Sequence, residues 1–582
     1  MFRNLLFFVV QLAIWPVLSQ INGFQFDTLK YSHSTLGSLD TFDLSSRPLS
    51  SSFIFPDQNQ NIYFLQSRNL FSPGKSIFTN SLIQKEKMTF TALPHIGFGY
   101  SFGAQATQNL SFDYEQAFKH GFLINCSVNN LKTQGFFRNT NVANSNYQIA
   151  LGRNGKIHSF ELKGDYSKSE RNWNGGITDD SLSNFFAPAL IPVLKENAQS
   201  INKTINLDLQ NKFTIVYDSS QLIGIAIKQN YQRNKRLYSE IDSISSIYSS
   251  IYLDSSETND SLLQQNFKNN VGLFYFRKNL LLEAGVNSNY WNNQAFSFKN
   301  DTLEFGLYSE VELAIKKFNL HQKGNYNLIG AANGFSNEAV VSTAIAETKI
   351  QLSHRFSNQL PSVFQRFFYS NNVVYKTENL EREWFQNFNA EIGRDFYKQQ
   401  IKLGYEFGQF DRIYQFDQLQ NRWRNDLTTS KGTYQQIALK TNLNWRWLNC
   451  NLNYQFTIMD QQKQFVPSHT FNSRIFVKGG IFKAKKLKAL LGIDFIATSS
   501  YKRLNFIPQM TVFDLEQSMN NQNAAGFMNL AAFTSFEVET FRLFIRMDNI
   551  AYFWQDRSIE FVNGYTFPST QIKVGITWDF WN

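Results

Sequence analysis

The last twelve residues of the chain, QIKVGITWDFWN (571–582), alternate between apolar and polar side chains. Isoleucine, valine, tryptophan and phenylalanine occupy the even-numbered positions from 572 to 580, whereas lysine, glycine, threonine and aspartate occupy the odd-numbered positions between them. Successive side chains of a β-strand point to opposite faces, so this pattern predicts a strand with one apolar and one polar face.

The same alternation recurs upstream, in runs that include 401–408, 436–447, 449–458, 487–495 and 541–548. Strands of soluble proteins average about 5 to 6 residues, whereas a strand that crosses a bilayer at a tilt of about 45° needs about 9 to 11. These runs are about 9 to 14 residues long, which indicates membrane-spanning strands.

The connectors between the runs alternate between short and long. Short joints are predicted near 154–155, 218–220, 277–278, 316–317, 394–395, 448–449, 483–486 and 539–540, and longer polar connectors near 168–202, 235–262, 408–432, 498–525 and 551–568. A soluble β-sandwich has no reason to sort its loops by length in this way, but a membrane barrel has tight periplasmic turns and long outer loops. We therefore predict an all-β fold, a transmembrane antiparallel up-and-down β-barrel with an even number of about 20 to 22 strands.

Composition excludes other classes of protein. Hydrophobic residues make up 42% and aromatic residues 16% of the 582 residues, which argues against a disordered chain. Beyond residue 20 no run approaches the ~18 apolar residues of a transmembrane helix. The net charge of +10 is spread along the chain, so it predicts a solvated basic surface or pore lining and no nucleic-acid partner.

The first 19 residues have the pattern of a secretory signal peptide, with Arg3, an apolar stretch over 5–14, and Val17 and Ser19 at the cleavage positions. Residues 20–90 are polar and poorly periodic, which predicts an irregular segment in the periplasm or inserted in the lumen. The barrel is expected over 91–582, in the outer membrane of a Gram-negative bacterium.

The C-terminal half, roughly 360–582, resembles the putative porin family of Bacteroidota outer membranes. The closing run VGITWDFWN (574–582) is similar to the family's usual G-L-x-W-x-F-W-D ending, with Asn582 where Asp is common. Pro568 before the last strand and the segment 111–175 also fit. The resemblance implies an outer-membrane β-barrel for passive diffusion and carries no catalytic motif.

Motifs for catalysis or metal binding are not found in the sequence. None of the seven histidines pairs at a metal-ligand spacing, and neither a phosphate-binding loop nor a G-x-S-x-G elbow is present. Cys126 and Cys450 both fall on apolar faces of distant strands, where a disulfide is not expected. We predict no enzyme activity, no catalytic residue, no cofactor and no metal site.

Charged residues on the polar faces are the candidate functional residues, because rings of charge along a water-filled constriction select ions by sign. The predicted lumen-facing charges are Lys402, Glu406, Lys440, Arg446, Lys488, Asp494, Arg542, Arg546 and Asp548. They could instead only solvate the lumen or pair with acids on adjacent strands. Aromatic side chains belong at the headgroup level of the bilayer, and the predicted aromatic girdle comprises Trp445, Trp447, Trp578, Phe580 and Trp581.

These features predict a porin-like channel for passive diffusion of small hydrophilic solutes or ions, with a mild anion preference. Two alternatives stay open: a channel for hydrophobic substrates with residues 20–90 as a hatch, and a barrel that serves adhesion or envelope assembly without transport. The predicted partners are outer-membrane lipid and lipopolysaccharide, the barrel-assembly machinery and small solutes, and homo-oligomerisation is left open.

Overall fold

The computed structural model describes the strand residues 27–28 and 89–90 and then residues 93–581, with gaps at 219–220, 242–247, 249, 297, 331–332, 378–379, 398, 461–463, 484–485 and 567. The predicted signal peptide (1–19) lies outside the described residues. So does the predicted 20–90 segment, apart from Asp27–Thr28 and Thr89–Phe90, which pair as two short parallel strands.

Twenty-two antiparallel strands form one closed barrel. They are β1 (His95–Gly103), β2 (Thr107–Ala117), β3 (Phe122–Thr133), β4 (Val142–Arg153), β5 (His158–Trp173), β6 (Ala198–Tyr217), β7 (Gln221–Glu240), β8 (Thr258–Arg277), β9 (Leu280–Ala295), β10 (Phe298–Ile315), β11 (Phe318–Ile329), β12 (Phe335–Ile345), β13 (Thr348–Gln359), β14 (Glu383–Phe396), β15 (Gln399–Asp411), β16 (Gly432–Trp445), β17 (Leu448–Ile458), β18 (His469–Ile481), β19 (Leu487–Thr498), β20 (Met528–Val538), β21 (Phe541–Asp548) and β22 (Gln571–Trp581).

Each strand pairs with its sequence neighbours, and β1 pairs with β22 to close the ring, with His95 opposite Trp581 and Gly103 opposite Lys573. At one end, which we call the turn side, ten connections of two to five residues join the strands. At the other end, the loop side, eleven connections include six of 17 residues or more. The predicted barrel and its even strand number are therefore confirmed. The predicted sorting by length holds for most of the connections, but 104–106, 296–297 and 330–334 on the loop side have only two to five residues.

The two faces of the wall are inverted relative to a soluble protein. On β22 the polar residues Lys573, Thr577 and Asp579 are buried inside the ring, whereas Ile572 and Trp578 are exposed on the outside. Burying an ionised group is unfavourable unless it is paired, and exposing a continuous apolar band to water is also unfavourable. A barrel wall with buried polar residues and an exposed apolar band is expected where lipid surrounds the outside and polar groups fill the inside.

Six turns on the turn side have only two residues, and each begins with a non-glycine residue in the left-handed region: Lys278, Lys316, Ala346, Tyr397, Arg446 and Glu539. Glycine or asparagine normally marks such turns, so the 346–347 turn was not predicted. The joint predicted at 448–449 was wrong, because Trp445 pairs with Leu448 and the turn is 446–447. The joint predicted at 394–395 lies at 397–398.

The loop-side connections carry short elements of their own. These are the helices Val363–Arg366 and Leu515–Ser518, the 3-10 turns Asp180–Asn184, Pro188–Leu190, Thr428–Ser430 and Ile550–Phe553, and the paired strands Phe367–Tyr369 with Val374–Lys376, Gln415–Asp417 with Arg422–Arg424, Tyr501–Lys502 with Asn523–Ala524, Asn505–Ile507 with Val512–Asp514, and Glu560–Val562 with Tyr565–Thr566. A further 3-10 turn, Lys119–Gly121, lies on the turn side. In the part of the chain that the structure describes, no helix is long and apolar enough to cross a membrane.

Candidate functional site: the polar lumen and its loop cap

Ionised side chains line the lumen in two clusters on facing parts of the wall. The first lumen cluster lies on β6, β7, β9, β10 and β11. Lys228 Nζ lies 2.6 Å from Glu283 Oε1 and 3.3 Å from Glu310 Oε2, and Lys323 Nζ lies 2.9 Å from Glu310 Oε1. Lys212 adds a longer contact of 3.8 Å to Glu283. Each carboxylate therefore faces two ammonium groups, which offsets the desolvation of both signs.

The second lumen cluster lies on β18, β19, β21 and β22. Arg474 donates two hydrogen bonds to Asp494, of 2.5 and 2.6 Å. Arg546 bridges Asp494 at 2.6 Å and Asp548 at 2.7 Å. Lys573 completes the chain with a contact of 3.2 Å to Asp548. Bidentate arginine pairs have a fixed geometry, so this chain ties four strands together through their side chains.

Aromatic rings on the lumen side pack against glycines of the neighbouring strand. A Cβ atom added to Gly575 would be 2.4 Å from Phe544 Cζ, and one added to Gly492 would be 2.6 Å from Phe533 Cζ. Phe533 also lies under the guanidinium of Arg474, 4.8 Å from the ring centroid. The glycines thus leave space for the rings that any larger residue would occupy.

Several predicted lumen charges lie at these or nearby positions. Asp494, Arg546 and Asp548 belong to the second lumen cluster, and Arg542 contacts Glu537 at 3.2 Å. Lys488 contacts the same Glu537 at 2.9 Å.

The remaining predicted charges lie on β14 to β16. Lys402 lies 3.3 Å from Glu391 and stands opposite Lys440 in the strand register. Glu406 accepts hydrogen bonds from Asn387 and from the Tyr434 hydroxyl. Arg446 departs from the prediction, because it is the first residue of the 446–447 turn and not part of a strand.

The predicted girdle residues do not all lie on one face. Trp578 and Phe580 point outward and are exposed, as is Trp445 at the end of β16, while Trp447 lies in the turn. Trp581 departs from the prediction: it shares the inward face of β22 with Asp579, and its ring centroid is 4.3 Å from that of His95. The strict alternation of side chains along the strand causes this difference.

A loop cap covers the loop-side mouth, formed by the connections 360–382, 412–431, 459–468, 499–527 and 549–570. Its apolar core combines inward residues at the ends of distant strands with residues of the loops. These core residues are Trp173, Tyr238, Phe385, Phe410 and Tyr434 from strands, and Phe465, Tyr501, Leu504, Leu515, Val562 and Tyr565 from loops. Such a core spans the ring and not a single sector of the wall.

The 499–527 loop crosses the mouth to the opposite wall. It leaves the barrel between β19 and β20, and its tip reaches β7 and β8, about half of the ring away. There Arg236 donates to the Pro508 carbonyl at 3.2 Å, and Gln509 donates to Asp260 at 3.0 Å. Asp260 also accepts from the Asn371 backbone N–H at 3.0 Å, so a second cap loop joins the same contact.

Burial in the loop cap shifts the pKa values of two carboxyl groups. Burial raises the pKa of the Asp514 carboxyl, although it accepts hydrogen bonds from the backbone of Gln517 at 3.0 Å and of Gln418 at 2.9 Å. Nearby Asp417 and Glu516 raise this pKa further. Burial also raises the pKa of Glu560, and the positive charge of Arg503 partly offsets this increase.

One group of metal-type ligands occurs among the described residues. Ligand atoms of Glu310, Glu312 and His321 lie within 4.8 Å of one another. Lys228 and Lys323 already neutralise Glu310, and two ammonium groups at this distance oppose a cation. We assign no metal to this group.

Alternation along the strands could identify inward charges but not their partners across strands. Lys228, Glu310 and Arg474 were therefore missed, although their strands carry the same apolar–polar alternation. Arg236 and Asp260 were missed because a contact between a strand and a loop from the opposite wall leaves no trace in local sequence.

An all-β cylinder with an apolar exterior and a charged interior defines the chain as an outer-membrane β-barrel protein. The family model described as "Putative porin" matches residues 32–582. The chain therefore belongs to the putative porin family, as its sequence resemblance indicated, and its location is the outer membrane of a Gram-negative bacterium.

The fold is similar to solved outer-membrane barrels. The copper transporter OprC shares 10% identity at a TM-score of 0.60, over 84% of this chain and 81% of that one. The FrpB iron transporter from Neisseria meningitidis (F5-1 variant) shares 9% at 0.58, over 84% and 83%. A mutant of the ferric enterobactin receptor PfeA from Pseudomonas aeruginosa shares 11% at 0.57, over 85% and 81%. No curated protein matches the chain by sequence.

Proposed function

We propose that the protein is a non-enzymatic outer-membrane channel for small hydrophilic solutes, and that the loop cap is its gate. The observation that carries the proposal is the 499–527 loop, which crosses the mouth and is hydrogen-bonded to Arg236 and Asp260 on the opposite wall. Below the cap, paired charges and neutral polar groups line the wall, and such groups can exchange hydrogen bonds with a hydrated solute. Diffusion then requires only that the cap moves.

A hydrophobic-substrate channel is less well supported. Apolar inward residues do occur at the mouth, among them Phe385 and Phe410, but both are buried against the cap loops. They therefore stabilise the cap and do not present an apolar path to a solute.

A hatch remains the second candidate function. Thr89–Phe90 pairs with Asp27–Thr28, and its Cα atoms come within 8 Å of those of β2 and β3. The N-terminal segment thus returns to the barrel wall directly before β1. The solved barrels of similar fold carry the names of metal and siderophore transporters, which supports a transporter-like barrel with a hatch as the alternative to free diffusion.

Cross-linking the cap tests the gate. In a C126A/C450A background, D260C/Q509C joined by a short thiol cross-linker that a reductant cleaves should abolish single-channel conductance in planar bilayers, and the reductant should restore it. The matched control is K349C/D395C, a contact of 2.8 Å between adjacent strands on the turn side, whose cross-link should leave conductance unchanged.

Deleting residues 503–522 should raise the conductance of the wild-type channel. If this variant folds, as judged by its heat-dependent gel mobility, and still conducts nothing, the gate proposal is wrong. Conductance that appears only after residues 20–90 are also removed would establish the hatch, and none in either variant would favour the non-transport barrel. The barrel-assembly machinery as a partner and homo-oligomerisation stay predictions.

A further inference from the structure

Three lysines form a row on the outer surface of the barrel, on the strands β5, β6 and β7. Lys168 pairs directly with Lys203, and Lys203 pairs directly with Lys235 in the strand register. All three lie on the outward face, at positions of the same parity as the exposed apolar residues Leu162 and Leu207. Side chains directly opposite in a sheet have Cβ atoms about 5 Å apart, and like charges at this distance are destabilising.

Acidic residues of the protein balance only part of this positive charge. Glu170 forms an ion pair with Lys168 and is the acidic residue on this face of β5. Arg233, which is exposed and two residues before Lys235, adds a fourth base. Lys203 is exposed and has no carboxylate within 4 Å among the described residues. The four bases therefore retain a net excess of three positive charges on one side of the wall.

Two other outward bases near the loop side each have an acidic neighbour. Lys299 lies 3.1 Å from Asp301 on β10, and Arg412 lies 3.2 Å from Asp411 at the end of β15. Lys132 on β3 is a single exposed base, so what distinguishes β5 to β7 is that their outward bases are directly adjacent.

The height of the row corresponds to the lipid headgroups. Lys203 and Lys235 each lie 14 residues from the turn-side ends of their strands, at Tyr217 and Gln221. With about 3.3 Å per residue and a tilt of about 45°, this distance is roughly 30 Å along the barrel axis. The apolar band of an outer-membrane barrel is about 25 Å tall, so the ammonium groups emerge just above it.

Aromatic side chains mark the same boundary. Tyr147 and Tyr166 are exposed on the outer face and pair with each other across β4 and β5. Tyr166 precedes Lys168 by one outward position. On β7 and β8, Tyr231 pairs with Phe267, and Tyr231 precedes Arg233 by one outward position. Tyrosine at the interface followed by a base on its polar side is the order expected at a headgroup layer.

We propose that Lys168, Lys203, Arg233 and Lys235 form a binding site for lipopolysaccharide, through the phosphate groups of its lipid anchor. The acyl chains lie against the apolar outward residues below the row, and the phosphates supply the counter-charge that the protein lacks. The proposal rests on the outer-membrane location and is independent of the proposed channel function.

The test is lipopolysaccharide binding by the full-length protein in detergent, measured by thermophoresis at 0.15 M ionic strength. Each base near an anionic lipid surface contributes enough binding free energy for about a fivefold change in affinity. The K168Q/K203Q/K235Q variant should therefore bind on the order of a hundredfold more weakly, and K203Q alone about fivefold more weakly. The matched control is K132Q/R277Q/K299Q, three outward bases on separate strands, whose affinity should stay near that of the wild type.

Two ligand controls define the chemistry. Chemically dephosphorylated lipopolysaccharide should bind the wild type as weakly as intact lipopolysaccharide binds the triple variant, and inorganic phosphate should not compete at equal concentration. Equal binding by the wild type and the folded triple variant would overturn the proposal. Undiminished binding of the dephosphorylated lipid, or equal binding of inorganic phosphate, would do so as well.

Discussion

Arg546 is the central residue of the second lumen cluster. Its guanidinium contacts Asp494 on β19 and Asp548 on its own strand β21, and Asp494 is also held by Arg474 on β18. Removing one partner from such a buried network leaves charges without compensation, which costs more than the pair contributes when intact. The arginine is therefore expected to be more important for stability than for conduction.

We predict that Arg546→Ala lowers the free energy of unfolding by about 3 kcal/mol or more, measured by urea unfolding in detergent micelles. Arg355→Ala is the matched control, because Arg355 contacts Glu338 at 3.1 Å with both side chains about half exposed. This variant should change stability by less than about 1 kcal/mol. Equal effects in the two variants would show that burial of the network does not matter.

The contact between Gly575 and Phe544 gives a second test at the residue scale. Gly575→Ala places a Cβ atom against the Phe544 ring, and overpacking of this kind costs about 1 to 3 kcal/mol. In a Phe544→Leu background the same substitution should cost less, because the smaller side chain leaves room. A double-mutant cycle of urea unfolding measures the coupling, and strictly additive effects would contradict the prediction.

Inward and outward positions could be predicted from sequence because one residue step reverses the face of a strand. The inward orientation of Asp494 and Asp548 follows from this alternation alone. Their partners could not be predicted, because pairing depends on the register between strands that a single sequence does not specify. Aromatic character alone places Trp581 in the outward girdle, whereas its position directly after the outward Phe580 makes it inward.

At the scale of elements, strands and loops differ in how far the sequence specifies them. The lipid-facing strands have a strong repeating pattern, so their number and sorting were predictable. The cap loops have none: their apolar residues, such as Leu504 and Leu515, are scattered among polar ones and become a core only when several loops meet. The two-residue turns were partly missed because Ala346 and Tyr397 adopt left-handed conformations that usually favour glycine or asparagine.

The cap should respond to pH through Asp514. Its pKa is raised above the ordinary value of 3.8 in the closed cap, so the closed cap binds more protons than an open cap in which the carboxyl is hydrated. Closure is then favoured below about pH 4 and is weakened as the pH rises through the elevated pKa. Glu560, raised from 4.5, acts in the same direction.

We therefore predict that channel opening in planar bilayers becomes more frequent between pH 4 and pH 7. Asp514→Asn should reduce this dependence, because the amide does not titrate. The hydrogen bonds that Asp426 accepts from Arg424 lower the pKa of its carboxyl. Asp426 therefore acts in the opposite direction, but only below about pH 3.8, which is outside this range. An opening frequency that falls with rising pH would contradict the assignment.

At the scale of the whole molecule, the positive net charge is not concentrated in the lumen. The bases of the two lumen clusters each have a carboxylate within 4.0 Å, whereas the unbalanced bases of β5 to β7 face outward. The mild anion preference predicted from the net charge is therefore expected to be weak.

We predict a reversal potential near zero in a KCl gradient for a channel that lacks residues 503–522 and is otherwise wild type. The K212Q/K228Q/K323Q variant should become cation-selective, because Glu283 and Glu310 then lack their ammonium partners. The control K132Q/R277Q/K299Q also removes three positive charges, but from the outer surface, and should leave the reversal potential unchanged. A wild-type lumen with strong anion selectivity would contradict the balanced arrangement.

The pairing of β1 with β22 has a consequence for biogenesis. Nearly five hundred residues separate His95 from its partner Trp581, so the first strand emerges from the ribosome long before the strand that completes its hydrogen bonds. Until then both ends of the sheet present open backbone edges, which readily join other chains. Closure of the barrel must therefore wait until β22 has been synthesised, and a chain that lacks β22 would keep two reactive edges in the envelope.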